Sequence, residues 1–128
     1  MENCPILVKE LFNFLQTGYE FELISDKSSN SGIFFIYQNK FCKVGIIIDY
    51  RDNEIYVELI RGKNTQYPSD LEFGRNIKLL KDLVKKYDPN KLQADKNNYQ
   101  QYSESLNENA KMLKKYGTKF LRGEEWID

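Results

Sequence analysis

Four carboxylates fall within a short stretch of the chain: Asp49, Asp52, Glu54 and Glu58. A carboxylate that ends one strand and a Glu-x-Lys motif on the next strand can together hold Mg²⁺, as in many nucleases. Here the residue two positions after Glu58 is Ile60, and no lysine follows at the required spacing. We therefore predict no metal site. We interpret the acids as solvated groups of a hairpin, or as a contact patch for a basic partner.

Histidine, the usual general base and the commonest metal ligand in proteins, is absent from the chain. Without it, neither the serines nor Cys4 and Cys42 can form a nucleophile pair of the usual kind. The glycines are isolated and form no GxGxxG or Walker-type loop, so the sequence gives no support for nucleotide binding. We expect no catalytic residue and no cofactor.

Two tyrosines and an arginine accompany the four acids. Tyrosine and arginine are enriched at the centres of protein interfaces, where they act as desolvated anchors. This composition predicts a surface that binds another protein. The predicted partner-binding residues are Asp49, Tyr50, Arg51, Asp52, Glu54, Tyr56 and Glu58.

Charge is unevenly distributed, although nineteen basic residues balance nineteen acidic ones. Residues 1–74 carry seven Lys/Arg against eleven Asp/Glu, and residues 75–128 carry twelve against eight. Such a bipolar chain can steer a charged partner. Four lysines that can neutralise phosphates give one predicted helix a basic face: Lys78, Lys81, Lys85 and Lys86. Overall neutrality and the lack of interleaved aromatics favour a solvated face, so we do not expect nucleic acid as a partner.

The length of 128 residues predicts a single domain, 1–128. Met1 leads into no basic start followed by an apolar segment, so we expect no signal peptide. Apolar runs such as Val44–Ile48 are far shorter than the ~20 residues of a membrane span. With two cysteines expected to be free thiols, these features predict a cytoplasmic protein without membrane contact.

An N-terminal helix is predicted from Asn3, a residue type that caps helices, and from Pro5 in the first turn. Gly18 is the expected stop. The residues between them with the spacing of one buried stripe are Leu7, Leu11, Phe14 and Leu15.

Four strands are predicted after this helix, with tight reversals or a turn cluster between them. Their expected bounds are Tyr19–Ser25, Ile33–Tyr37, Phe41–Tyr50 and Glu54–Arg61. Because short loops join neighbouring strands, they should form an antiparallel meander.

Helices follow the long connection Gly62–Gly74. The first is expected over Ile77–Tyr87 and to end at Asp88-Pro89, because proline cannot continue a helix. The last should carry a narrow apolar seam from Tyr99 to Tyr116. It then either breaks at Gly117 or runs on to Leu121, with Gly123 as the stop.

Segregated strands and helices define an α+β fold, with two or more C-terminal helices packed on one sheet face and the other face at least partly outward.

Two segments, IIIDYRDNEIYVELIR within Phe41–Arg61 and KMLKKYGTKFLRGEEW from Lys111 to Trp126, resemble small bacterial immunity proteins of polymorphic toxin systems. This resemblance implies a cytoplasmic protein that binds one cognate toxin domain and blocks it, with no reaction of its own.

The alternative is a small enzyme or ligand-binding protein with a cleft between the sheet and the C-terminal helices. We expect Trp126 to anchor the tail to the core.

Overall fold

The computed structural model describes residues 3–90 and 102–126 of the chain. It has the predicted α+β class, with one antiparallel sheet in the order β1-β2-β3-β4-β5. The strands are β1 (Glu22–Ser29), β2 (Gly32–Gln38), β3 (Cys42–Asp49), β4 (Glu54–Arg61) and β5 (Ile77–Leu79). The helices are α1 (Cys4–Leu11), α2 (Phe14–Tyr19), α3 (Leu80–Tyr87), α4 (Tyr102–Tyr116) and α5 (Thr118–Leu121). None of these helices is long and apolar enough to cross a membrane.

The sheet has five strands, so the prediction of four was wrong. β5 occupies Ile77–Leu79, which we had assigned to the start of a helix, and it pairs with the second half of β4 through Ile60 and Ile77. Ile77 fits both patterns because it lies three residues before Leu80, the first residue of α3. A strand of three residues is too short to show a period of two. Only its pairing with β4 defines it.

The N-terminal helical segment begins as predicted, because the Asn3 Oδ1 atom accepts a hydrogen bond from the Ile6 amide at 3.3 Å. It is divided at Phe12–Asn13 into α1 and α2. The predicted stop at Gly18 was wrong: α2 continues to Tyr19, and Glu20 takes the left-handed conformation with φ 61°. The Phe21 amide then donates to the Leu15 carbonyl at 3.0 Å, which closes the helix end.

The first strand is displaced relative to its prediction, Tyr19–Ser25. Since Tyr19 belongs to α2, β1 starts at Glu22, and it continues through Ser28 and Ser29 because these residues pair with Ile33 and Gly32 of β2. Strand pairing therefore overrides the low β-propensity of the serines. The other three predicted strands lie within one residue of their observed bounds.

The helices pack on one face of the sheet, where alternate strand residues and helix stripes form one buried cluster. Leu106, Ala110 and Leu113 form the buried part of the predicted seam on α4, while Tyr99 lies outside the described residues. α4 ends before Gly117, which precedes the short helix α5, so the chain breaks at the first of the two predicted positions. The helix after β5 ends before Pro89, as predicted.

The opposite face, called here the outer face, is partly covered by the connection between β4 and β5. Tyr67 of this connection lies over Gly45, and its ring meets the Phe34 ring edge-on with 5.6 Å between centroids. The Tyr67 hydroxyl donates to Glu58 Oε1 at 2.5 Å, and Lys43 Nζ donates to the Thr65 carbonyl at 3.0 Å. We call residues 62–76 the strap, because these contacts hold them across the sheet.

Asn39, in the turn between β2 and β3, is buried and joins three parts of the fold. Its Nδ2 atom donates to the carbonyls of Tyr19, at the end of α2, and of Leu121, at the end of α5, at 3.1 and 3.0 Å. Its Oδ1 atom accepts from the amides of Phe41 and Cys42 at 2.8 and 3.0 Å. The side chain therefore satisfies four backbone groups around one buried position.

We expect Asn39→Ala to lower the free energy of unfolding by about 2–4 kcal/mol, because it leaves buried donors and acceptors unpaired. Urea unfolding measures this. The matched control is Asn64→Ala, at an exposed position, which should change stability by less than about 0.5 kcal/mol. Equal effects of the two substitutions would contradict the role given to Asn39.

Gly45→Ala should also destabilise the fold, by about 1–3 kcal/mol, because a Cβ atom there would collide with the Tyr67 hydroxyl and lie 2.8 Å from Cζ of the same ring. In a Tyr67→Ala background the same substitution should cost much less, since the ring is gone. A double-mutant cycle tests this coupling. If Gly45→Ala had the same cost in both backgrounds, Tyr67 would not lie over Gly45.

Candidate functional site

The turn between β3 and β4 is shaped by Asp49. Its Oδ1 atom accepts hydrogen bonds from the backbone amides of Arg51 and Asp52 at 3.0 and 3.2 Å. Asn53 takes the left-handed conformation, with φ 55°, that completes the reversal. This geometry leaves residues 51–54 exposed at the tip, so Arg51, Asp52 and Glu54 are available to a partner.

Three of the predicted site residues, Asp49, Glu54 and Tyr56, occupy outer-face positions at the end of the sheet near this turn. The register places Asp49 opposite Glu54, and Ile47 opposite Tyr56. Since paired residues of neighbouring strands share a face, Tyr56 is in one row with Ile47 and, on β2, Phe34. The side chains of this row are partly buried. The sheet therefore presents a half-exposed apolar row beside the acidic turn.

Tyr50 is not part of this row. Its ring packs against the core and lies 5.6 Å from that of Tyr102 at the start of α4. Burial, together with the neighbouring Cys4 thiol, raises the pKa of the Tyr50 hydroxyl to about 12. Tyr50 thus fixes the base of the hairpin against α1 and α4.

Glu58 is also separated from the turn, by two rows of the sheet, since it lies opposite Gly45 on the outer face. The strap covers it. Burial raises the pKa of the Glu58 carboxyl, while the hydrogen bond from Tyr67 acts in the opposite direction and is the smaller effect. Burial likewise raises the pKa of the Tyr67 hydroxyl. Glu58 is therefore a structural partner of Tyr67 in this fold.

A shallow groove of about 700 Å³ runs over the outer face next to the turn. Its apolar lining includes Phe34 and Ile47, and its charged lining includes Lys27 of β1 and Arg51. Serine hydroxyl groups of the β1–β2 turn line it as well. Together with the turn this region is called the hairpin-end surface, and it comprises Lys27, Phe34, Ile47, Asp49, Arg51, Asp52, Glu54 and Tyr56.

Lys27, Phe34 and Ile47 were not among the predicted site residues. No sequence pattern around Lys27 predicts its place in the site, because only the pairing of β1 with β2 brings it beside Phe34. Phe34 and Ile47 do carry one: the runs Ile33–Tyr37 and Ile46–Ile48 are apolar at consecutive positions. Such runs indicate strands with apolar side chains on both faces.

The four carboxylates of the acidic stretch do not converge on a point. Asp49 binds its own turn, Glu58 binds Tyr67, and Asp52 and Glu54 are exposed at the tip. Within residues 3–90 and 102–126, no three acidic or cysteine side chains are grouped closely enough to hold a metal ion. Cys42 is a buried core residue, and this burial raises the pKa of its thiol to about 12.

The space between the sheet and α4 is filled by side chains in the described part of the chain. Val44 and Leu59 of the sheet and Leu106 and Leu113 of α4 belong to one core cluster and have no exposed surface. Trp126 anchors the C-terminal segment as expected, with its Nε1 atom donating to the Arg75 carbonyl at 3.0 Å. Its ring packs on Phe120, with 5.4 Å between centroids.

Comparisons with protein-family models, with curated proteins and with solved structures gave no match.

The partly buried Glu58 carboxyl predicts a pH dependence of stability. Because its folded-state pKa lies above the unfolded value, its contribution to stability is fully present below the unfolded pKa, about 4.3, and is lost as the pH rises through the folded-state pKa. The free energy of unfolding of the native chain relative to Glu58→Gln should therefore increase as the pH falls from about 7 to about 4. Urea unfolding of both chains at several pH values measures this difference.

Tyr67→Phe provides the matched variant for this measurement. It removes the hydrogen bond that lowers the Glu58 pKa. The change with pH in the difference between Tyr67→Phe and Tyr67→Phe plus Glu58→Gln should therefore be larger than the change measured with Tyr67 present. A difference that is flat, or that decreases toward low pH, would show that Glu58 is not buried beneath the strap.

Proposed function

We propose that this chain is a protein-binding module whose partner contacts the hairpin-end surface. The observation that carries this proposal is the arrangement of that surface, in which a half-exposed apolar row lies beside an exposed charged turn. Phe34, Ile47 and Tyr56 form the row, and Asp52 and Glu54 are at the tip. An apolar centre with a polar, charged rim is the usual anatomy of a protein interface.

The exposed acids favour a partner with a basic surface. Asp52 and Glu54 protrude from a turn that Asp49 holds rigid, so their charges need little rearrangement to meet a cationic site. Charge complementarity of this kind accelerates association and excludes partners of the wrong sign. A nuclease toxin, which must bind phosphates, presents such a basic site.

The specific role that we propose is that of an immunity protein that neutralises a toxin domain by covering its active site. The resemblance of the β3–β4 hairpin sequence to such proteins supports this role. Blockade would be steric through the apolar row and electrostatic through the acidic tip, and it requires no reaction by the chain itself. In this account Tyr50 and Glu58 position the surface, and the other predicted residues contact the partner.

Reversing the tip charges tests the proposal. In cells whose growth is inhibited by a candidate nuclease toxin domain, co-expression of this chain should restore growth. Asp52→Lys plus Glu54→Lys should weaken the affinity of the purified complex, measured by titration calorimetry, by about tenfold or more. The reason is that two acids that attract a basic partner would be replaced by two lysines that repel it. The expected loss should be greatest at low salt.

The matched control is Glu10→Lys plus Glu22→Lys. Both positions are exposed and receive the same change of charge, but Glu22 pairs with Gln38 at the opposite end of the sheet. This control should bind as the native chain does. A tight complex that Asp52→Lys plus Glu54→Lys leaves unchanged would refute the acidic tip as the contact.

A further inference from the structure

Two large apolar side chains, Leu71 and Phe73, protrude from the strap, with 85% and 50% of their surface exposed. The turn that carries them is fixed by hydrogen bonds. The Glu72 carbonyl accepts from the amides of Arg75, Asn76 and Ile77 at 2.9–3.1 Å. Because this backbone is held in place, the exposure of Leu71 and Phe73 is a property of the folded turn.

The same turn is attached to the sheet through Asn76. Its Oδ1 atom accepts from Arg61 Nε at 2.9 Å, and its carbonyl accepts from the Arg61 amide at 2.7 Å. Gly74 donates through its amide to the Ile77 carbonyl at 2.8 Å, which connects the turn to β5. The two apolar side chains therefore have a defined position relative to α3, which follows β5 directly.

A groove of about 440 Å³ lies between this turn and α3. Phe73 and Ile77 form its apolar lining, and its charged lining consists of Lys78, Asp82, Lys85 and Lys86. The volume is sufficient for one or two side chains of a bound segment. The groove thus combines an apolar wall with a rim that is mainly cationic.

Some of the charged side chains on the rim already form hydrogen bonds or ion pairs within the chain. Asp82 accepts a hydrogen bond from the Leu79 amide at 3.1 Å, which places its carboxylate at the N-terminus of α3. Lys86 forms an ion pair with Glu125 at 3.3 Å. Lys85 is exposed, and in the described part of the chain it has no acidic partner. The groove therefore offers a cation beside apolar surface.

We propose that this groove is a second docking site, which takes an extended protein segment carrying a carboxylate next to an apolar side chain. The apolar side chain would pack against Phe73, and the carboxylate would pair with Lys85. The site is separate from the hairpin-end surface, since β5 pairs with residues 58–60, in the half of β4 remote from the β3–β4 turn. It therefore does not depend on the function proposed above.

Acidic neighbours distinguish this occupant from an anionic membrane or a nucleic acid. Asp70 and Glu72 flank Leu71 directly in the chain. Insertion of Leu71 among lipid headgroups would bring both carboxylates against a negatively charged surface. An extended segment can place its single carboxylate at Lys85 and avoid them. Charge complementarity thus favours a protein segment.

The probe for this site is a short labelled peptide, blocked at both ends, with one Phe next to one Glu, titrated into the ¹⁵N-labelled full-length chain. We expect saturable shifts of amide signals confined to residues 71–86. Phe73→Ser plus Lys85→Glu should weaken binding by about tenfold or more, because it removes the apolar wall and reverses the paired charge. The matched control, Ile6→Ser plus Lys40→Glu, changes an exposed apolar residue and an exposed lysine elsewhere and should leave binding unchanged.

Three outcomes would overturn the proposal. They are equal binding of a peptide with Lys in place of Glu, shifts at residues 71–86 caused by vesicles containing phosphatidylserine but not by the acidic peptide, and no saturable binding of the acidic peptide. Asp52→Lys plus Glu54→Lys should not affect peptide binding, so failure of this site and failure of the hairpin-end surface are distinguishable.

Discussion

The contact between Tyr67 and Gly45 determines which part of the sheet a partner can reach. In a five-stranded sheet with helices on one face, the other face is left for solvent or loops, and here it includes the apolar residues Phe34, Ile36 and Ile47. Gly45 provides the space in which the Tyr67 ring lies, and Glu58 fixes the hydroxyl of that ring. Ile60 and Ile77, which pair with each other between β4 and β5, are buried as well. At the end of this face nearest the β3–β4 turn, residues 51–54 are exposed.

The two ends of the sheet consequently have different roles. At one end Asn39 joins α2, the β2–β3 turn and α5 through buried hydrogen bonds, so this end contributes stability. At the other end Asp49 holds an exposed turn, and a shallow groove with an apolar lining lies beside it. Buried polar networks make a fold rigid when every member is satisfied. A rigid scaffold of this kind keeps the hairpin-end surface preorganised, which reduces the entropic cost of binding.

Patterns that depend only on neighbouring residues predicted much of this fold. The Asn3 cap, the β4 bounds and the helix end before Pro89 are local features, and the structure confirms them. The local pattern left two positions open for the end of α4, and the structure has the break at Gly117. Several features that depend on tertiary contacts were not predicted. β5 forms because it pairs with β4, and β1 extends through Ser29 because Ser29 pairs with Gly32 of β2. Nothing adjacent to Tyr67 in the sequence indicates that its ring would cover Gly45. For the same reason the predicted site is divided, with Tyr50 in the core and Glu58 beneath the strap.

Hydrogen–deuterium exchange of the chain, alone and in complex with a toxin domain that it is found to neutralise, tests the central claim most directly. The account predicts that the partner slows exchange at the amides of residues 31–34 and 49–56, which belong to the hairpin-end surface and its turns, and leaves α3 unaffected. Slower exchange confined to α3 and α4, with residues 49–56 unchanged, would contradict the assignment of the interface to the hairpin end.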